Sequence, residues 1–266
     1  MEGFCAGGRQ TLDVDGQERS FLVHVPEGLD DEVAPVVHLY HGLGGQADTN
    51  LAYTELAAVA DDRGFIVVAP QAIESGSRWD YRTSVDEKGS DLAFARELVE
   101  SAGKEDCVDA EQQFATGISN GSAMIFAMAC SGEFPFRAYG GVAAAFYDAS
   151  CADAPPASIV YFHGTADRVV PFDGGATPLE PVRPVQETMR QWAEHDGCSA
   201  TAESEQVGED VEQLTWTGCD DSRLEAFVIE GGGHTWPGAQ PIPAIGRTTS
   251  TVDASEQMAD FFGLGD

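Results

Sequence analysis

Gln113-Phe-Ala-Thr-Gly-Ile-Ser-Asn-Gly-Ser-Ala-Met-Ile-Phe-Ala-Met-Ala129 is the stretch whose reading decides the fold. A short apolar strand runs into Gly117-Ile118-Ser119-Asn120-Gly121, and an apolar helix follows at once. This is the G-x-S-x-G pattern in the strand, sharp turn, helix setting that it requires. A turn this tight crowds its central residue against the positions two before and two after, and glycine there has no Cβ to clash. Ser119 is thereby lifted above the sheet edge, at a helix N-terminus whose N–H groups favour negative charge beside it. The bland alternative is an ordinary Gly-Ser loop; the flanking strand and helix weigh against it.

A serine hydroxyl is a poor nucleophile without a base, so the reading requires a histidine and an orienting acid. Outward along the chain, Ile159 to Phe162 reads as a strand and is followed by His163-Gly-Thr-Ala-Asp167-Arg-Val-Val-Pro171. Ala226 to Ile229 reads as another and is followed by Gly231-Gly-Gly-His234-Thr-Trp236-Pro237. Asp167 and His234 thus fall in successive strand-end loops, and the order Ser, Asp, His is that of the α/β-hydrolase fold. Either residue alone is ordinary. Upstream, Val36 to Tyr40 reads as a strand leading into His41-Gly-Leu43-Gly-Gly45. Its glycines allow close backbone approach, so the N–H of Leu43 and that of Asn120 are the expected oxyanion-hole donors for a tetrahedral intermediate.

The rest of the chain fits the same architecture. Strands are also expected over Phe21 to Val25, Phe65 to Ala69, Gln113 to Thr116 and Gly141 to Ala145, with helices over Thr49 to Asp62, Asp91 to Ser101, Pro184 to His195 and Asp253 to Phe262. Interleaved β and α elements predict a mostly parallel central sheet flanked by helices. No composition shift marks a boundary, so residues 1–266 are read as one α/β-hydrolase domain. Gly174 to Pro184, with three prolines, reads as a surface loop or lid.

The balance of 45 Asp and Glu against 14 Lys and Arg gives a net charge of −31, which disfavours phosphate backbones and anionic membranes as partners. With 42% hydrophobic residues the chain can still build a core. No apolar run reaches membrane-spanning length, and the first twenty residues carry no apolar stretch of signal-peptide length. The acidity reads as a solubilising shell suited to saline or extracellular conditions. Cys5, Cys107, Cys130, Cys151, Cys198 and Cys219 form no CxxC pair, so no zinc site, and no metal or cofactor, is expected. Six cysteines are compatible with three disulfides in any of 15 pairings, or with buried free thiols.

Taken together, His41-Gly-Leu-Gly-Gly, Gly117-Ile-Ser-Asn-Gly-Ser-Ala-Met, Phe162-His-Gly-Thr-Ala-Asp-Arg-Val-Val-Pro-Phe and Gly231-Gly-Gly-His-Thr-Trp-Pro-Gly resemble the polyhydroxybutyrate depolymerase and feruloyl esterase-like family of α/β-hydrolases, which includes acetylxylan esterases. The resemblance runs from about Gly7 to Phe262. It implies Ser119 as nucleophile, Asp167 as acid and His234 as base, secretion or a periplasmic location, and pairing of Cys130 with Cys151 and of Cys198 with Cys219, leaving Cys5 with Cys107. Ser122 is a departure, standing where members often have a second glycine; it should alter helix packing more than chemistry.

The expected activity is that of a metal-independent serine esterase, feruloyl-esterase-like, acting on phenolic or acetyl esters of the plant cell wall as a monomer. Depolymerisation of a polyhydroxyalkanoate or other polyester is the alternative within the family. A peptidase of the same fold and a non-catalytic binding protein on a hydrolase scaffold are the rivals outside it. Trp79, Trp236 and His41 are candidate substrate contacts, the two indoles as stacking platforms. Trp192, on a helix with Met189, reads as core, and His163 as a residue supporting the acid. Asn120-Gly-Ser122 matches the glycosylation sequon, but a glycan at this turn would block it.

Overall fold

The structure is a computed structural model that describes residues 4–29, 33–73, 77–84, 86–177 and 180–265. Among the described residues ten strands form one sheet, in the order β1-β2-β4-β3-β5-β6-β7-β10-β9-β8, where β1 is Gly8–Val14, β2 Gln17–His24, β3 Ala34–Tyr40, β4 Ile66–Pro70, β5 Val108–Ile118, β6 Tyr139–Val142, β7 Ile159–Gly164, β8 Glu203–Val207, β9 Val211–Trp216 and β10 Leu224–Ile229. The central run β4-β3-β5-β6-β7-β10 is parallel, and antiparallel pairs close both edges. This is the mostly parallel, helix-flanked sheet expected from the sequence.

The central strands are apolar continuously because helices cover both faces of the sheet. Alternation of side chains divides the core accordingly: Val36, Tyr40, Ile66 and Val68 pack on one face, Val37, Leu39, Val67 and Ala69 on the other. Among the described residues six α-helices supply the cover: α1 (Ala47–Thr54), α2 (Leu56–Arg63), α3 (Asp91–Ala102), α4 (Asn120–Ser131), α5 (Val185–His195) and α6 (Ala254–Phe262). α4 is buried from Asn120 to Cys130, as its unbroken apolar sequence requires. Trp192 is fully buried in the core, its indole N–H donating to the Phe146 carbonyl.

Three expectations need correction. The single helix over Thr49 to Asp62 is two helices, broken where Glu55 adopts a left-handed conformation at φ 54°. There the Thr54 carbonyl accepts from the Ser255 hydroxyl at 2.7 Å, and the Thr54 hydroxyl contacts both Leu51 O and the Leu56 N–H. The strand placed at Gly141 to Ala145 lies instead at Tyr139–Val142, because the chain turns at Ala143 with φ 58°. β1, β8 and β9 add to the expected strands; β8 has the sequence Glu-Ser-Glu-Gln-Val and its first four residues are exposed, so no hydrophobic pattern marks it.

Disulfides join Cys5 to Cys107, Cys130 to Cys151 and Cys198 to Cys219, the pairs that the resemblance implies. Among the described residues no helix is long and apolar enough to cross a membrane. Within the Gly174 to Pro184 segment, Gly175 and Val182 pair as an antiparallel bridge, while Pro178 and Leu179 lie outside the described residues.

Candidate active site

Parallel strands all end at the same sheet edge, and the register brings their ends together: Tyr40 lies beside Gly117, Ile118 beside Val142, Val142 beside Phe162 and Gly164 beside Ile229. The loops after β3, β5, β7 and β10 carry Leu43, Ser119, Asp167 and His234 respectively. The structure therefore collects all four segments singled out in the sequence at one edge.

Ser119 occupies the turn between β5 and α4 at φ 57°, ψ −122°, a conformation costly for a residue with a Cβ and held here by its surroundings. Its N–H donates to Val142 O, and its carbonyl accepts from the Ala123 N–H. The elbow lies directly on the end of β3. A Cβ added to Gly121 would come within 2.1 Å of the Tyr40 carbonyl oxygen and 2.6 Å of that of His41, so only glycine fits. Ser122 is fully buried and its hydroxyl donates to Ala144 O at 2.7 Å, tying α4 to the segment that follows β6.

Asp167 is 5% exposed, and both carboxylate oxygens accept hydrogen bonds. Oδ1 accepts from the N–H groups of Val169 and Val170 at 2.8 and 2.9 Å, and Oδ2 accepts from His234 Nδ1 at 2.7 Å. His163 Nε2 lies 3.4 Å from the same Oδ2 and 2.9 Å from Val170 O, while its Nδ1 accepts from the Tyr161 hydroxyl. Burial alone would raise the Asp167 pKa; hydrogen bonds from and electrostatic attraction to His163 and His234 outweigh it and hold the carboxyl well below the usual carboxylate range. With Nδ1–H committed to Asp167, the imidazole of His234 presents Nε2 as the basic nitrogen. Among the described residues Ser119 makes no hydrogen bond to His234, a contact that characteristically tightens on substrate binding.

The turn after β7 and the loop after β10 are knitted together. Ala166 N–H donates to Gly232 O and the Gly231 N–H to the Thr165 hydroxyl, while the His234 N–H is held from the downstream side by Ile245 O. A Cβ on Gly164 would come within 2.3 Å of the Gly232 backbone, so glycine permits this approach.

The three residues expected to touch substrate do not present themselves to one. Trp79, Trp236 and His41 are each fully buried. The Trp236 indole N–H donates to the Ser255 hydroxyl at 3.1 Å and that of Trp79 to the His41 carbonyl at 2.9 Å. Aromatic residues in glycine-rich or polar loops suggested exposure, but here tertiary packing draws the rings inward. Ser119 instead opens onto a cavity of about 280 Å³ whose walls include Tyr81, Arg82, Phe146, Tyr147 and Glu180. Tyr81 and Phe146 meet edge to face at 5.6 Å, and the Arg82 guanidinium lies over both rings and pairs with Glu180, which also accepts from the Tyr81 hydroxyl. The sequence offered only the adjacency of Tyr81 and Arg82 to Trp79; the approach of Glu180, about a hundred residues away, had no local signal. Among the described residues no group of three or more His, Cys, Asp or Glu side chains is placed to hold a metal ion.

No family model matches the chain. It is 28% identical over 231 residues to feruloyl esterase C of Emericella nidulans, covering 81% of this chain and 76% of that protein. It is 23% identical over 238 residues to feruloyl esterase D of Neurospora crassa, covering 84% and 76%. The chain is related to the feruloyl esterases. Among solved structures, an acetyl xylan esterase from Aspergillus awamori superposes with a TM-score of 0.69 over 97% of this chain and 99% of its own, at 20% identity. An S-formylglutathione hydrolase from Agrobacterium tumefaciens gives 0.63 over 100% and 98%, at 15% identity. These structures share the α/β-hydrolase fold, and this feruloyl esterase relative is a carboxylic ester hydrolase.

Proposed function

We propose that residues 1–266 form one catalytic domain in which Ser119, His234 and Asp167 are nucleophile, base and orienting acid, and that the preferred ester carries a hydroxycinnamoyl acyl group of the feruloyl type from plant cell walls. The observation that carries this reading is the placement of the strained Ser119 elbow at an aromatic-walled cavity, at the sheet edge where Asp167 fixes His234 through its Nδ1–H. The three disulfides support a secreted or periplasmic enzyme.

In the proposed reaction His234 Nε2 takes the proton of Ser119 as Oγ attacks the ester carbonyl carbon. The electron pair of the carbonyl moves to its oxygen, which accepts from the backbone N–H groups of Leu43 and Asn120. Collapse expels the alcohol, protonated by His234, and leaves an acyl-Ser119 ester. Water, deprotonated by the same nitrogen, attacks that ester; the acid departs and Ser119 regains its proton. The planar acyl group lies against Tyr81 and Phe146, where aromatic contact adds to plain burial.

A substrate panel tests the acyl preference. Methyl ferulate, acetylated xylan and a hydroxybutyrate oligomer are compared by kcat/KM. Methyl ferulate is expected to lead by at least tenfold; a hydroxybutyrate oligomer in that position overturns the hydroxycinnamoyl reading in favour of polyester hydrolysis.

A further inference from the structure

Trp79 sits where the two sides of the proposed oxyanion hole meet, and it is bonded to both. Its backbone forms a reciprocal pair with the Asn120 side chain: Trp79 N–H donates to Asn120 Oδ1 at 2.7 Å and Asn120 Nδ2 donates to Trp79 O at 3.1 Å. Its indole N–H reaches the other way, to the carbonyl of His41 at 2.9 Å, and its ring packs 4.9 Å from the His41 ring and 5.2 Å from that of Tyr40. One buried residue thus joins the first residue of α4 to the loop after β3.

The second side is set by His41 itself. Its Nε2 accepts from the Ala72 N–H at 3.1 Å, which leaves Nδ1–H to donate to the Gly42 carbonyl at 2.8 Å. Burial lowers the pKa of this imidazole, which favours the neutral form that the two bonds need. The Gly42 carbonyl also accepts from the Gly45 N–H at 3.0 Å. In a trans peptide the N–H points opposite to the C=O, so anchoring Gly42 O directs the Leu43 N–H away from the loop interior. Gly42 lies against the nucleophile: a Cβ there would stand 3.4 Å from Ser119 Cβ. Among the described residues the Leu43 N–H has no hydrogen-bond partner, and the Asn120 N–H, in the first turn of α4, has none either.

We infer that Trp79 is a positioning residue for the oxyanion hole, holding the Asn120 and Leu43 N–H groups at a fixed separation through its backbone pair with Asn120 and its indole bond to His41 O. Trp79 touches no reacting atom, since its side chain is fully buried. Its effect belongs to the transition state, because the oxyanion appears only there. The inference rests on the serine-esterase reading given above.

Trp79→Phe keeps a packed ring and removes the indole donor. For p-nitrophenyl acetate, kcat is expected to fall about tenfold, less than the 10²- to 10³-fold typical of deleting a hole donor, with KM within twofold of wild type. Affinity for an aryl trifluoromethyl ketone, whose serine adduct places an oxyanion in the hole, should fall by the same factor as kcat/KM. A role in packing alone would raise KM and lower the Tm with no matching loss of ketone affinity. If Trp79→Phe does not fold, Asn120→Ala opens the brace from the other side and carries the same expectation. Unchanged kcat, or a lower kcat with unchanged ketone affinity, in the folded variant overturns the inference. A wild-type protein whose activity survives Ser119→Ala would instead overturn the serine-esterase reading beneath it.

Discussion

At the scale of single residues, Asp167 shows how far local chemistry reaches. Its carboxylate accepts from two backbone N–H groups and from His234, with His163 close by, so its folded pKa lies below that of the unfolded chain. A depressed carboxylate stabilises the fold fully above the unfolded pKa, about 3.9, and loses that contribution as the pH falls through the folded value. The Tm difference between wild type and Asp167→Asn should therefore stay constant from pH 7 down to about pH 5 and shrink below pH 4. A difference that already shrinks between pH 7 and 5 would contradict the assignment. Ser119, Asp167 and His234 were legible in the sequence because each lies within a few residues of a strand end and of glycines that the geometry needs. Trp79, Trp236 and His41 were misread because whether a ring faces solvent depends on residues such as Asn120 and Ser255, distant along the chain.

Among the elements, the buried parallel strands were legible because their apolar runs follow from burial on both faces. The edge strands were not: β9 owes its place to pairing with β10, β8 to pairing with β9, and the Cys198 to Cys219 bridge ties their flanks, none of which leaves a periodicity. The loop that carries His234 is likewise organised from outside. Arg247 donates to the carbonyls of Glu230 and Gly231, accepts the Gly233 N–H on its own carbonyl and pairs with Asp210 at 2.7 Å. Asp210 also accepts from the hydroxyls of Thr251 and Thr249, which with Arg247 bring its pKa down to about 2. Asp210→Asn should loosen this clamp, so the amides of Gly233 and His234 should exchange with deuterium at least tenfold faster while those of β7 keep wild-type protection. Equal protection in the variant would show that the loop is held without Asp210.

For the molecule as a whole, the net charge of −31 sits apart from the chemistry. The proposed chemistry calls on one acid, Asp167, and on backbone donors, and Glu180 in the cavity wall is paired with Arg82, so most of the excess charge bears on which polymers the protein can approach rather than on the reaction. Pectin and other anionic polysaccharides should therefore be weakly repelled at low ionic strength. The central claim is that the sheet edge organises Ser119 as a nucleophile, and it is tested most directly by turnover of p-nitrophenyl acetate with wild type and Ser119→Ala at equal concentrations of folded protein. Loss of a triad nucleophile typically costs about 10⁶-fold in kcat, so the variant should fall to the background rate. Hydrolysis that persists within tenfold of wild type would contradict the account.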